Sequence, residues 1–567
     1  MTAETFFANF GHLADAPNGV QKLRELILQL AVQGKLVLQN EADEPASFLL
    51  DRIRDERIGW MEEKRIRKSK PLPKIDSSDH LFYIPKNWVW TRLGEYGDWG
   101  AGATPSRQNS SYYGGRMPWL KSGELNDSIV SESAETITTL ALKECSLRID
   151  MPGDVLIAMY GATIGKVAIL EIEATTNQAV CACTCLSGIY NHFLFVLLKA
   201  YRPFFTGQGA GGAQPNISRE KIIATPVPLP PLEEQKRIVA KVDQLMALCN
   251  ELEARQQKQQ RGRMRLNNSA LNALLTAREP GEFANHWQRI CDNFDPLYNH
   301  PATITKLRAA ILQLAVQGKL VPQDPNDEPA SVLLERIKTE KERLVKEKVI
   351  RKPKPLPTIE DENRCSSLPD KWDFCRLGSL CFAVSDGPHF SPKYVSKDMG
   401  VPFLSMRNVT LKGFLLNDMK YVSQSDHEDF CKRTKPEIDD IIYTKGGTTG
   451  IAIVNDLDME FSVWVHLAVL KIAKKHLFPR YIAMALNSPH CYEQSQRYTH
   501  GTGNRDLGLT RMVLITMPLP PIEEQKRIVT KVDQLMTLCD KLETKLNKAQ
   551  QHSEKLMVAT VRQILVA

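Results

Sequence analysis

Apolar positions along this chain fall into two alternating textures. In the first they recur at helical spacing. Leu23, Ile27, Leu30 and Ala31 share one face of a short segment that stops at Gly34, where a C-terminal cap belongs. An acidic turn follows, Asp43 to Ser47, with Pro45 suited to a first helical position, and a second helix runs through LLDRIRDER. Lys64 to Lys74 then alternates Lys, Arg and Pro, which build no core, so it reads as an exposed tether, with phosphate contact as the other reading. In the second texture, from about Trp88 to Pro228, β-rich runs such as Asp154–Tyr160 and Lys166–Ile172 alternate with clusters of Gly, Ser, Asn and Thr. The helical segment Phe193–Tyr201 interrupts them, which predicts a mixed α+β domain. Prolines at Pro228 to Pro231 close that domain, and Glu233 and Glu234 suit the start of a helix. There Ile238, Val242, Leu245, Cys249 and Leu252 step by four and three, a heptad seam. Without a breaker other than Gly262 the helix reaches about Ala277, roughly 65–70 Å, more than one small domain covers.

The whole pattern is written twice. Ile27 to Val37 returns unchanged at Ile311 to Val321, RKSKPLP at Arg67 returns as RKPKPLP at Arg351, and Trp88, Arg92, Leu93 and Gly94 return as Trp372, Arg376, Leu377 and Gly378. Pro228 to Glu253 matches Pro518 to Glu543 at 21 of 26 positions. The second copy has its own β-rich run at Asp440–Lys445, a helical segment at Arg480–Asn487 and a seam at Ile528, Val532, Leu535, Cys539, Leu542, Leu546 and Ala549. The frames agree and the interiors mostly do not. The expected class is α+β, two mixed α/β domains held apart by an antiparallel two-helix coiled coil with pseudo-twofold symmetry. A helix packed only on its own domain is the alternative for the seam. The expected divisions are an arm and basic linker at 1–80, a first domain at 81–229, a central region at 230–364 with the long helix 231–277 and the repeated arm, a second domain at 365–519, and a last helix at 520–567.

Composition narrows the class. With 567 residues, 43% hydrophobic and 25% charged, this is an ordinary globular composition, and its apolar runs are too short to span a bilayer. The first residues carry no basic segment followed by an apolar one, so no signal peptide is expected. The 12 cysteines are scattered, and Cys181, Cys183 and Cys185 alternate as on a buried strand and lack zinc-site spacing. A reduced, cytoplasmic protein is expected. The net charge of +7 is compatible with nucleic acid without demonstrating it.

Reactive groups are missing where the length has room for them. There is no N-P-P-Y or D-P-P-Y tetrapeptide, H-E-x-x-H pair or G-x-S-x-G elbow. Gly161 to Lys166 (GATIGK) falls one residue short of a phosphate loop and joins two apparent strands. The chain reads as a binder.

The sequence resembles the specificity (S) subunits of Type I restriction-modification enzymes. The resemblance rests on the twin P-L-P-P-[LI]-E-E-Q-K-R-I-V segments at Pro228 and Pro518, on L-A-V-Q-G-K-L-V at Leu30 and Leu314, and on D-E-P-A at Asp43 and Asp327. The first domain adds G-A-T-P-S (Gly102), Y-Y-G-G (Tyr112), P-W-L (Pro118), N-Q-A-V (Asn177) and G-G-A-Q-P-N-I-S (Gly211). It implies two target-recognition domains, each reading half of a bipartite, asymmetric site on double-stranded DNA. It also implies two modification (M) subunits docked on the repeated regions, carrying S-adenosylmethionine and methylating adenine, and restriction (R) subunits using ATP and Mg. This chain itself then has no catalytic residue, metal or cofactor and no membrane partner.

Base reading needs side chains that reach base edges, while phosphate contacts set register. Polar loop clusters with embedded Arg, Lys, Asn or Gln are the candidates. In the first domain these are Thr104, Ser106, Arg107, Tyr112 and Tyr113, then Lys121 and Ser122, and Gln214 with Asn216. In the second they are His389, Ser391, Lys393 and Tyr394, then Arg407 and Asn408, Lys445 with Thr448 and Thr449, and Asn504 with Arg505. Each competes with a plain turn or surface role. Trp119 reads as core. For M-subunit docking the repeated Glu233, Glu234, Gln235, Lys236 and Arg237, with Glu523, Glu524, Gln525, Lys526 and Arg527, are the candidates, against likeness inherited from a recent duplication. A self-sufficient nucleic-acid enzyme and a two-headed DNA-binding regulator are the competing functions.

Overall fold

The repeated segments are the ones that tie each half of the chain together. The computed structural model describes residues 14, 16–66, 71–209, 216–359, 368–501 and 505–566. It divides into two compact units, residues 1–259 with 549–567, and residues 260–548.

In the first unit the arm helix Gly19–Val32 buries Leu23, Leu26, Ile27, Leu30 and Ala31. It stops at Gly34, whose φ of +68° suits glycine and where a Cβ would come within 2.4 Å of Pro85. The second arm helix is Ala46–Glu62, with Pro45 at its N-cap, one residue earlier than the expected first helical position. The first α+β domain is zipped shut where the chain enters and leaves it, by Val89–Arg92 antiparallel to Pro226–Leu229. Above that clasp lies a five-stranded sheet in the order Gly97–Ala101, Val180–Cys185, Val155–Ala158, Val167–Leu170, Ser128–Val130. A three-stranded sheet, Thr136–Ile137, Tyr113–Leu120, Thr175–Thr176, carries a parallel step from Trp119 to Thr175. Cys181 and Cys183 are fully buried on their strand, as is Ala182 between them, whereas Cys185, expected with them, is half-buried, and every described cysteine is a free thiol. GATIGK forms the turn of an antiparallel hairpin, with no helix after it.

The second unit repeats this plan. The clasp is Asp373–Arg376 with Thr516–Leu519. The larger sheet runs Cys381–Asp386, Leu467–Ile472, Ile441–Thr444, Ala452–Val454, and the smaller one Lys420–Val422, Val401–Leu404, Ser462–Val463, again with a parallel step, from Phe403 to Ser462. Two domains with dissimilar interiors therefore share the order of four strands in the larger sheet and of three in the smaller, while the fifth strand of the first domain, Ser128–Val130, has no counterpart in the larger sheet of the second.

The long helices span Leu232–Thr276 and Ile522–Val566, 45 residues each, or about 68 Å. Within the first unit Val242 and Cys249 of one share a core with arm residues Leu23 and Ile27, domain residues Phe193 and Tyr96, and Met557 and Ile564 of the other. Lys35 Nζ donates to the carbonyl of Leu565 at 2.9 Å. Within the second unit Lys319, its repeat partner, donates to Leu275 and Ala277 at 3.0 and 2.8 Å, and Leu271 and Leu274 pack with Leu314 and Leu542. In both, an arm lysine sits on the free carbonyls at a helix end, where positive charge is favoured.

Arm, α+β domain and helix start thus share one core, so the divisions read at 80/81 and 229/230 are changes of texture that the packing does not follow. The seam residues Ile238 to Cys249 are buried against their own unit first, because the arm helices cover them. Helix Pro280–Asp292, between the first long helix and the second arm, was not expected from the sequence. Among the described residues no helix is long and apolar enough to cross a membrane, and no cluster of His, Cys, Asp and Glu is arranged to hold a metal.

Candidate nucleic-acid interface

In the first domain the segment Gly102 to Arg107 is pinned from below. Gly102 has no room for a Cβ, which would lie 2.2 Å from the carbonyl of Thr176. Ala103 N donates to that carbonyl at 2.9 Å, Trp119 Nε1 donates to the carbonyl of Ala103 at 3.1 Å, and Tyr113 Oη donates to that of Pro105 at 2.6 Å. Thr104, Ser106 and Arg107 are left exposed on this fixed base, with the Thr104 hydroxyl bonded to Gln178. Arg107 Nη1 donates to Glu135 Oε2 at 2.7 Å, and its guanidinium lies 4.5 Å from the Tyr113 ring centre and 5.0 Å from that of Trp119. Lys121 Nζ donates to the other Glu135 oxygen at 2.5 Å. Hydrogen bonds from Arg107 and then Lys121 hold the Glu135 carboxyl below its ordinary range.

The fold thus gathers Arg107, Tyr113 and Lys121 around Glu135, a residue with no distinguishing pattern in the sequence. Tyr112 Oη donates to Glu144 at 2.8 Å, and Ser122 opens a short turn fixed by Glu124, which accepts from Lys121 N at 2.9 Å. Asn216 is exposed and bridges Tyr160. Gln214 lies outside the described residues, and Trp119 is core, as expected.

The second domain reproduces this platform with other side chains. A Cβ on Gly387 would lie 1.7 Å from the carbonyl of Val463, so Gly387 stands where Gly102 does and His389 where Thr104 does. His389 Nε2 lies 3.2 Å from Asp386 Oδ2, and Arg433 closes on the same carboxylate. Burial opposes ionisation of Asp386, but the bonds from Arg433 and His389 and the charge of Lys445 overcome it, and its carboxyl titrates below the usual range. Ser391, Lys393, Tyr394, Arg407, Thr448 and Arg505 are exposed. Lys420 Nζ lies 5.6 Å from the Tyr394 ring centre, and Arg505 donates to Gln496 at 2.6 Å. Arg407 has no hydrogen-bond or ion-pair partner among the described residues. Asn504 lies outside them.

Three candidates of this domain are corrected. Lys445 is buried, with Nζ 2.9 Å from Asp506 Oδ1, 3.5 Å from Asp386 Oδ2 and 3.2 Å from the carbonyl of Val465. It occupies the place of Met159 in the first domain: each accepts a backbone bond on its carbonyl, from Leu507 N and Ile217 N. Asn408 is buried as a turn brace, accepting from Ser405 N and donating to Leu415 O, both at 2.9 Å. Thr449 is buried under Gln496 and Thr499. Their side chains are spent inside the domain.

The sequence profile of the Type I restriction modification DNA specificity domain matches residues 85–260 and 369–550. The chain belongs to the Type I specificity-subunit family. Its role is DNA sequence recognition. It is 31% identical over 570 residues to the EcoAI specificity subunit of Escherichia coli, covering 94% of this chain and 92% of that one. The EcoEI specificity subunit of Escherichia coli is 30% identical over 580 residues, with the same coverage. The crystal structure of an HsdS subunit from Thermoanaerobacter tengcongensis aligns over 86% of this chain and 98% of that chain at 18% identity, with a TM-score of 0.41.

In this specificity subunit most of the repeated helix-start residues turn inward, which corrects their reading as a docking face. Glu234 and Gln235 are buried, as are Glu524 and Gln525. Glu234 accepts from Trp88 Nε1 at 2.8 Å and from Gln39 at 2.6 Å. Glu524 accepts from Trp372 at 3.0 Å and Gln323 at 2.7 Å. Gln235 accepts from Tyr190 N at 2.9 Å, and Gln525 from Phe478 N at 3.0 Å. Arg237 pairs with Asp43 at 2.5 Å and Arg527 with Asp327 at 2.6 Å. Only Glu233 with Lys236, and Glu523 with Lys526, are exposed, each pair bridged at 2.7 Å.

Proposed function

We propose that this chain is the sequence-reading subunit of a DNA modification and restriction assembly, in which each recognition domain reads one half of a bipartite, asymmetric site. The exposed residues set on the two platforms, Thr104, Ser106, Arg107 and Lys121 in one, His389, Ser391, Lys393, Arg407, Thr448 and Arg505 in the other, meet the DNA. The two long helices pack antiparallel as the spacer that fixes the gap between half-sites. Two M subunits dock on the repeated arms and helices, bring S-adenosylmethionine and methylate adenine. R subunits bring ATP and Mg and cut unmodified DNA. The whole assembly acts in the cytoplasm.

The observation that carries this reading is the pairing of one common frame with two different surfaces: the tryptophan–glutamate and glutamine bonds at the helix starts recur in both units, while the loops above them differ. Two unlike readers in one posture suit a target whose halves differ. Mapping methylated adenines in cells that hold the chain and its methyltransferase tests this. The expected result is two specific blocks separated by unspecified bases, with replacement of residues 81–229 changing one block alone. A short uninterrupted motif, or both blocks changing together, overturns it.

A further inference from the structure

We propose that Glu135 is a positioning residue that sets the discrimination of the first recognition domain, by holding Arg107 and Lys121 away from phosphates. The proposal rests on the reading that Arg107 meets DNA. Its basis is the geometry of the cluster. One carboxylate is shared by two cations, at 2.7 Å from Arg107 and 2.5 Å from Lys121, although the three side chains are 31%, 53% and 37% exposed. Exposed pairs of this kind contribute little to stability, so stability does not account for the arrangement. Glu135 is itself anchored, since its carbonyl accepts from Trp119 N at 2.9 Å and from the Ser133 hydroxyl at 2.6 Å. The carboxylate is thus registered to the same strand whose Tyr113 and Trp119 rings flank the guanidinium.

Two physical effects follow. The negative charge offsets one of two neighbouring cations, which weakens the sequence-independent attraction to phosphate. The fixed guanidinium also loses less freedom when it meets a base edge, because its orientation is set before binding. Glu135 occupies one guanidinium N–H and leaves the others free for a base edge, while its negative charge opposes the approach of an anionic phosphate and not that of a neutral base. In the second domain Arg407 has no such partner among the described residues, and the carboxylate that gathers cations there is Asp386, which is buried beneath Arg433, His389 and Lys445.

The test uses the full chain with its methyltransferase and fluorescent duplexes carrying the mapped site, the site altered in the first half, and the site altered in the second half, across a salt series. Glu135→Gln is expected to bind unrelated DNA more tightly, to steepen the dependence of log K on log salt by about one, and to lower first-half discrimination by about tenfold. Second-half discrimination and the melting temperature stay unchanged, and Glu135→Asp restores part of the loss. If Glu135→Gln leaves the salt slope and the first-half ratio as they were, the inference fails. If Arg107→Ala changes binding to no duplex, the underlying reading of Arg107 fails instead, and the inference with it.

Discussion

The indole N–H of Trp88 reaches Oε2 of Glu234 across 2.8 Å, joining the threshold of the first recognition domain to the first turn of a long helix. Trp372 and Glu524 make the same bond at 3.0 Å in the second unit. Burial pushes both carboxyls up, against the hydrogen bonds from tryptophan and glutamine that pull them down. Trp88→Phe keeps most of the ring and removes the donor to a buried acid, which is expected to cost about 1.5–3 kcal/mol of stability. Trp372→Phe is expected to cost a similar amount. Guanidinium unfolding of the two variants checks both, and a loss below about 0.5 kcal/mol in either would show that the bond does not hold the frame.

Lys445 gives a different expectation from the one its sequence context suggests. Its ammonium sits among Asp386, Asp506 and the carbonyl of Val465 inside the second domain. Lys445→Met removes one partner of a buried carboxylate and is expected to destabilise by about 3 kcal/mol, the lower end for breaking a buried pair, because Arg433 still binds Asp386. The measurement is the unfolding midpoint in urea. Full stability combined with lost binding at the second half-site would return Lys445 to the DNA.

The frame was legible because it was written twice. Gly34, Trp88, Arg92 and Glu234 recur as Gly318, Trp372, Arg376 and Glu524, and each copy makes the same kind of contact. Long helices and the runs around Val155, Val167 and Ile441 were legible from periodicity. The small sheets were not: Thr136–Ile137 and Thr175–Thr176 are two residues each, too short to show alternation, and their partner strand is distant in sequence. Polarity misplaced Lys445 and Asn408, since K-G-G-T-T and R-N-V-T look like solvent loops. Their burial depends on partners such as Asp386, which a local window does not contain. Glu135 left no signal, because one carboxylate in an acidic stretch says nothing of the two cations folded onto it.

Asp150 makes the first unit sensitive to pH. It is fully buried where its backbone bridges Ala174, and Arg148 Nε stands 2.8 Å from an oxygen that nonetheless lacks an aligned hydrogen bond. Burial pushes its carboxyl from the ordinary 3.8 up to about 7, against the pull of Arg148 and with help from Asp154. The folded protein therefore keeps a proton that the unfolded chain has released. That contribution is full below the ordinary carboxyl range and is lost as pH rises through 7, with a slope of up to about 1.4 kcal/mol per pH unit in between. Asp150→Asn is expected to remove it. Melting temperatures of both proteins from pH 5 to 8 check this, and parallel curves would contradict it.

Arg107 and Arg407 offer the sharpest contrast between the two platforms, one held by a carboxylate and two rings, the other exposed with no partner among the described residues. Replacing either with alanine is expected to relax discrimination in one half-site only, by about 1–3 kcal/mol where the contact to the base is bidentate. Lysine separates base reading from phosphate contact, because it keeps the charge and loses the planar pair of donors. Arg407→Lys is therefore expected to hold its affinity for unrelated DNA and lose second-half discrimination as the alanine variant does. Binding to duplexes altered one base pair at a time reads this directly. Uniform weakening by alanine on every sequence, with full rescue by lysine, would assign Arg407 to a phosphate.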